Sequence, residues 1–392
     1  MTEPLFVEKY RTDATPMHYT EDPFVFYDRC DGPAFENVRL LLNCWLEAYP
    51  ESERQELSRR FRSEFYAAFY ELALYTIFAA LGCSLEPHPI LSHSTKRCDF
   101  RVSGAAEFFL ECINTNGLSA KEENRQNTVH YFYDVLNQMD CPSFYLKLVE
   151  VHFKGSSYPP LTKIRAQLEI EINQIDPDTM PAGTIREFRD LPGLSYEDPK
   201  FRLVLQLIPK PPQTREKKAR AIGVTTTGFH IGGFGHVIAD ALRRKAAKYG
   251  KITAPFLIAI NALTALPVDE YDIEDALFGN VYRNYIPAIL NGERAIPAAA
   301  ESSFFWKGKA IHTRVSAVLV SNLTPTNLVW AKYWIYFHPL AEYPLYLKAL
   351  GLHANRIGPD GIAVTEGRRI AEILGLPADW PGEKKDWRPQ SH

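Results

Sequence analysis

Along most of this chain, short apolar runs of strand character alternate with segments of helical length, and that alternation narrows the fold class more than any other feature. Strand character falls on Cys83–His88, Asp99–Ser103, Glu107–Ile113, Phe144–Phe153, Phe201–Ile208, Pro255–Ala262, Thr313–Ser321 and Val329–Phe337. Helical patterns occupy Glu36–Tyr49, Glu51–Leu81, Ala120–Met139, Leu161–Ile175 and Val237–Tyr249, and Gly82 stands where a helix C-terminal glycine belongs. Strands interleaved with helices predict an α/β fold, a mixed sheet flanked by helices. A chain of 392 residues, 46% hydrophobic and 23% charged, can build such a core without disulfide or metal staples, which excludes a disordered or collagen-like chain. Residues 176–200, rich in Pro, Asp and Gly, read as a loop or small insertion. The expected organisation is a helical lead over 1–60, an α/β core over 61–262 with an insertion at about 176–235, and a C-terminal extension over 263–392 that contributes further strands.

The apolar stretch from Phe65 to Cys83 has Glu71 in its middle and charge on its N-terminal side, so it reads as a buried helix and not as a membrane span. Met1–Leu5 has no basic stretch leading into an apolar one. The six cysteines form no CxxC pair. These features predict a cytoplasmic protein with reduced thiols and no membrane partner.

The most informative chemistry lies at the hairpin around Gly104-Ala105-Ala106. A three-residue loop there makes residues whose numbers sum to 210 face each other, pairing Arg101 with Phe109 and Asp99 with Glu111. Two carboxylates directly opposite one another repel, unless one keeps its proton or a cation sits between them. Carboxylate oxygens completed by water suit magnesium or manganese. The same register pairs Cys98 with Cys112 on the other face, as two small buried residues. A solvated face, where like charges repel only weakly, is the alternative reading for the two acids, and a satisfied buried hydrogen bond the alternative for Glu71. On the preceding helix, Glu64 and Glu71 are seven apart and share a face, and Glu71 sits within an apolar run where it needs a partner.

Glu71 on a helix, then Lys96-Arg97-Cys98-Asp99-Phe100, then Phe108-Phe109-Leu110-Glu111-Cys112-Ile113 resembles the PD-(D/E)xK superfamily of restriction-endonuclease-like nucleases, and looks closest to a group of uncharacterised bacterial proteins within it. The segments Lys245–Gly250, Pro255–Asn261 and Arg314–Ala317 also look like that group. Cys98 stands in the proline position of the motif, and Ile113 stands where the lysine of ExK belongs. The resemblance implies metal-dependent hydrolysis of phosphodiester bonds in nucleic acid, DNA in preference to RNA. Asp99 and Glu111 would hold Mg2+ or Mn2+, with Glu71 as a further ligand or water-positioning acid. A lysine supplied by another element, Lys248 or Lys245, would replace the missing one, with Arg97 as a third candidate. A catalytically degenerate binding or scaffold protein of the same fold is the alternative.

Net charge is -3, yet ten basic residues stand between Lys210 and Lys251 against only Glu216 and Asp240, a local charge of +8. Lys210, Arg215, Lys217, Lys218, Arg220, Arg243 and Arg244 are therefore the expected nucleic-acid-binding residues. The run Gly228–Gly235 leads into a helix N-terminus, where backbone amides can bind phosphate, but it lacks the ending of a P-loop. A solvated basic loop is the competing reading.

Overall fold

A computed structural model of the chain describes residues 3–91, 96–116, 118, 120–153, 159–179, 191–199, 201–215, 220–225, 235–249, 252–264, 268–279, 286, 288–293, 295–296, 301–358 and 361–382. In chain order the elements are α1 (Pro23–Arg29), α2 (Pro33–Ala48), α3 (Glu51–Phe61), α4 (Phe65–Ala80), β1 (Cys83–Pro87), β2 (Phe100–Gly104) and β3 (Phe108–Thr115). Next come α5 (Ala120–Asn137), β4 (Phe144–Phe153), α6 (Leu161–Asn173), β5 (Gly193–Glu197), β6 (Phe201–Pro209), β7 (Ile222–Thr225), α7 (Gly235–Ala246), β8 (Phe256–Ala262) and α8 (Glu270–Phe278). The chain continues through β9 (Phe305–Trp306), β10 (Lys309–Ala310), β11 (Ala317–Ser321), β12 (Tyr333–Phe337), β13 (Ala354–Gly358) and β14 (Gly361–Thr365). Among the described residues no helix is long and apolar enough to cross a membrane.

The fold is α/β, and the chain divides into two compact units. The first comprises Met1–Ala14, Pro23–Leu118 and Gly232–His392. It holds an eight-stranded mixed sheet in the order β1-β2-β3-β8-β11-β12-β13-β14. β3, β8 and β11 run parallel at its centre. Every residue of β8 and β11 is buried, as expected of parallel strands covered by helices on both faces. Side-chain alternation on β3 separates the two helical layers: Phe108 meets Phe78 of α4, while Glu111 points to α7. α7 turns Val237, Ile238, Ala241 and Leu242 inward, and Gly235 at its start lets α8 come close, since a Cβ there would lie 2.9 Å from the Asp272 carbonyl oxygen.

The second unit comprises Thr15–Asp22 and Ser119–Ile231. Its sheet runs β5-β6-β4-β7. On β6, Phe201, Leu203, Leu205 and Leu207 alternate inward against Phe132 and Leu136 of α5 and Ile164 and Leu168 of α6. Strict alternation of this kind marks a sheet with one covered face.

The bounds of the insertion differ from those expected. The inserted unit spans 119–231 rather than about 176–235, because β4, α5 and α6 share a core with β6. After 263, β11 to β14 join the large sheet. The helix expected over Glu51–Leu81 is two helices. The chain breaks at Arg62–Glu64, and Phe61 and Phe65 then pack edge to face, with ring centroids 5.5 Å apart.

Candidate functional site

The hairpin has the expected register, with Phe100 opposite Leu110, Arg101 opposite Phe109 and Val102 opposite Phe108. The ladder stops there, one residue short of Asp99 and Glu111. Two ionised groups held face to face would repel. Each acid has instead found its own donors. Asp99 Oδ2 accepts the Cys112 backbone N–H at 2.6 Å. Glu111, fully buried, accepts from Lys245 Nζ and, at 3.1 Å, from Lys248 Nζ on Oε1, and from the Tyr249 hydroxyl on Oε2. α7 delivers all three donors because the chain keeps turning beyond Ala246, with the Lys248 N–H bonding the Lys245 carbonyl.

A cleft of about 440 Å3 opens beside these groups, lined by Arg60, Glu64, Glu71, Asp99, Asn114, Arg244, Lys245 and Lys248 among others. It lies toward the C-terminal ends of the parallel strands, where open α/β sheets bind ligands. There Asn114, Asn261 and Ser321 stand in register on β3, β8 and β11. Asn261, fully buried, donates to Asn114 Oδ1 and to the Leu323 carbonyl and accepts the Leu323 N–H, which pins the strand ends.

Glu71 is 2% exposed. Its Oε1 accepts from the Tyr49 hydroxyl at 3.1 Å and its Oε2 from Arg60 Nη1 at 2.5 Å. Arg60 and Glu71 are eleven residues apart. In one unbroken helix that would set them roughly 16 Å apart along the axis. The break at Arg62–Glu64 is what folds them together, and sequence periodicity carries no sign of it because neither Gly nor Pro marks the spot.

Burial raises the Asp99 carboxyl to about 7, helped by the charges of Glu111 and then Glu71. For Lys245, burial works to lower the amine, but Glu111 outweighs it and the net shift is upward. Burial, then Glu111, pushes the Tyr249 hydroxyl well up, so it stays a donor. Burial and the neighbouring acids raise Cys112 too, and Cys98 is pushed up to about 12. Both thiols are free and un-ionised, so neither is an activated nucleophile.

Of the residues expected at the site, Asp99, Glu111, Glu71, Lys245 and Lys248 come together, and Arg244 joins them on the cleft wall. Ile113 packs into the apolar layer beneath α7 and offers no charge. The long basic segment is divided between the two units, with Lys210, Arg215 and Arg220 in the second and Arg243, Arg244, Lys245 and Lys248 in the first. Lys210, expected to bind phosphate, is 3% exposed, with its ammonium on the Cys141 carbonyl at 2.9 Å and over the Tyr145 ring; it is a core residue of the second unit. Arg215 pairs with Asp178, and Arg220 lies over the Tyr19 ring. Arg243 pairs with Asp240 on exposed surface. Lys217, Lys218 and Gly228–Phe234 of the glycine-rich run lie outside the described residues. Sequence reading missed Arg60, Tyr49 and Tyr249.

Among the described residues, no group of three or more His, Cys, Asp or Glu side chains is arranged to hold a metal ion. No family model, curated protein or solved structure matches the chain.

Proposed function

We propose that the cleft of the first unit hydrolyses phosphodiester bonds in nucleic acid with the help of a divalent metal ion, and that the unit has a restriction-endonuclease-like core. One observation carries the reading: two lysine amines from α7 converge on Glu111 beside Asp99. The amine that Ile113 cannot supply is thus provided from another element.

The donor set fits magnesium or manganese, which are commonly held by only one or two carboxylates and otherwise by water and substrate phosphate. Asp99 and Glu111 would be those carboxylates. Burial, then the charges of Glu111 and Glu71, raises the Asp99 carboxyl, and a cation beside it would offset all three. When bound, such an ion acidifies water and offsets charge on a phosphate. The chain's own residues do the rest. Tyr249 holds one oxygen of Glu111 and fixes the plane of its carboxylate. Lys245 and Lys248, 28% and 30% exposed, have slack in their stems to turn from Glu111 toward an entering phosphate. There they offset the negative charge that grows on it.

The test is incubation of the full chain with plasmid and single-stranded DNA in Mn2+ or Mg2+. Cleavage by the wild type, lost in Asp99→Ala and in the Lys245→Met/Lys248→Met double variant, is the expected result. Equal residual activity in wild type and Asp99→Ala would contradict the proposal. A second reading, a nucleic-acid-binding protein without catalysis, is favoured by the complete satisfaction of Glu111 by three protein donors. It requires that Mn2+ leave the protein unchanged.

A further inference from the structure

We infer that Arg60 is a phosphate-binding residue on the α3 side of the cleft, and that Glu71 and Tyr49 form the bracket that aims it. Glu71 is then a positioning residue and not a metal ligand. The inference rests on the reading of the cleft as a nucleic-acid site, but not on cleavage.

Four observations lead to it. Both oxygens of Glu71 are engaged inside the protein, one by Tyr49 and one by Arg60. Burial, then Glu71, raises the Tyr49 hydroxyl far above its ordinary value, so the bracket stays protonated on the Tyr49 side and donates to Glu71. Arg60 spends one of its five N–H donors on Glu71, and its Nε lies 3.8 Å from Glu64 Oε2, beyond hydrogen-bond reach. Among the described residues no other acceptor holds the guanidinium, which lines the cleft. A planar fork held at one corner, with its other edge toward an open cleft, suits the paired oxygens of a phosphate.

The fourth observation is topological. Arg60 reaches the cleft from the face of the sheet that carries α4, while Arg244, Lys245 and Lys248 come from the face that carries α7. The cleft therefore straddles the end of β3 with cations on both sides and the acids between them. A neutral ligand finds no counterpart in those flanking cations. A polyanion with phosphates on either side of Asp99 does. The bracket also accounts for a glutamate on an otherwise apolar helix: it holds a charge that would otherwise swing to solvent.

The experiment uses the folded full chain and fluorescent 20-nucleotide single-stranded and duplex DNA in EDTA, titrated with salt. It is paired with Mn2+ calorimetry and thermal melting. Arg60→Gln is expected to weaken binding several-fold and to lower the slope of log affinity against log salt by about one. Arg60→Lys keeps a charge for Glu71 and should melt near the wild type, yet still bind more weakly because the fork is gone. Glu71→Gln should lose part of the same affinity while keeping wild-type Mn2+ binding. A salt slope and affinity unchanged in both Arg60 variants would overturn the inference and leave hydrolysis standing. Loss of Mn2+ binding in Glu71→Gln alone would overturn it as well, by making Glu71 a ligand. Arg60 effects intact in a chain that never cleaves would overturn hydrolysis and leave the inference standing. A wild type that binds neither DNA overturns both.

Discussion

Glu111 and Glu71 are two buried glutamates at one cleft, and they are neutralised in different ways. Glu111 is met by two amines and a hydroxyl from the end of α7, all within five residues of one another. Glu71 is met by one guanidinium and one hydroxyl, brought from α3 and from the residue that ends α2. Lysine is a point charge on a flexible stem, while arginine is a rigid fork. The α7 side is therefore built to exchange partners and the α3 side to hold one. Under the proposed function, release of Glu111 for a cation falls to the first side, and under the inference about Arg60, fixed recognition of an anion falls to the second.

Deleting charges should show that asymmetry, most strongly on the α3 side. Arg60→Met leaves Glu71 buried with Tyr49 alone. Breaking a buried pair by removing one partner costs about 3–5 kcal/mol, and urea denaturation should show a loss of that order. A loss under about 1 kcal/mol would mean the pair is already wetted and the bracket is not rigid. On the α7 side, Tyr249→Phe removes one hydrogen bond to a charged carboxylate and should cost about 1.5–3 kcal/mol by the same assay.

Acid titration sharpens the comparison by supplying a background from outside the cleft. His338, 4% exposed, accepts the Leu340 N–H on Nδ1 and sits against Ile311 O and the Phe304 ring. Burial, followed by the neighbouring His312, lowers its pKa to about 4. The folded state therefore disfavours the protonated ring. Its contribution is fully present above the ordinary value near 6.5 and is lost as pH falls from there toward 4, at up to about 1.4 kcal/mol per pH unit. Stability of the wild type and of His338→Gln, measured from pH 7 to 4.5, should diverge in that sense; parallel curves would remove His338 from the account. The smallest effect is expected for Lys245→Met or Lys248→Met alone. The remaining amine still reaches Oε1, so each should cost about 0.5–1 kcal/mol, and a larger loss would mean that the two amines are not interchangeable.

How far the sequence reveals this site depends on what each residue's partners are. Asp99, Glu111 and the register of their hairpin are readable because strand pairing has a period of two and the loop length sets the frame. Lys245 and Lys248 are readable as substitutes only because Ile113 leaves a gap to fill. Arg60 is hidden by the helix break at Arg62–Glu64, which has no Gly or Pro and shows only in tertiary packing. Lys210 misleads in the opposite direction: a basic residue in a basic run, it caps the Cys141 carbonyl in the interior of the second unit. β5 is masked by the turn-rich composition around it, although Gly193–Glu197 alternates half-buried and exposed positions along its length. The β13–β14 hairpin is signalled by Gly358-Pro359-Asp360-Gly361, a turn sequence that could have located it.

The proposed function requires Asp99 and Glu111 to hold a divalent ion together, in competition with the α7 amines. Calorimetric titration of Mn2+ into the wild type, Asp99→Ala and Lys245→Met/Lys248→Met tests it most directly. Saturable binding is expected in the wild type, none in Asp99→Ala, and tighter binding in the double lysine variant because the competing cations are gone. Binding of equal strength in wild type and Asp99→Ala, or no heat from any of the three, would contradict it.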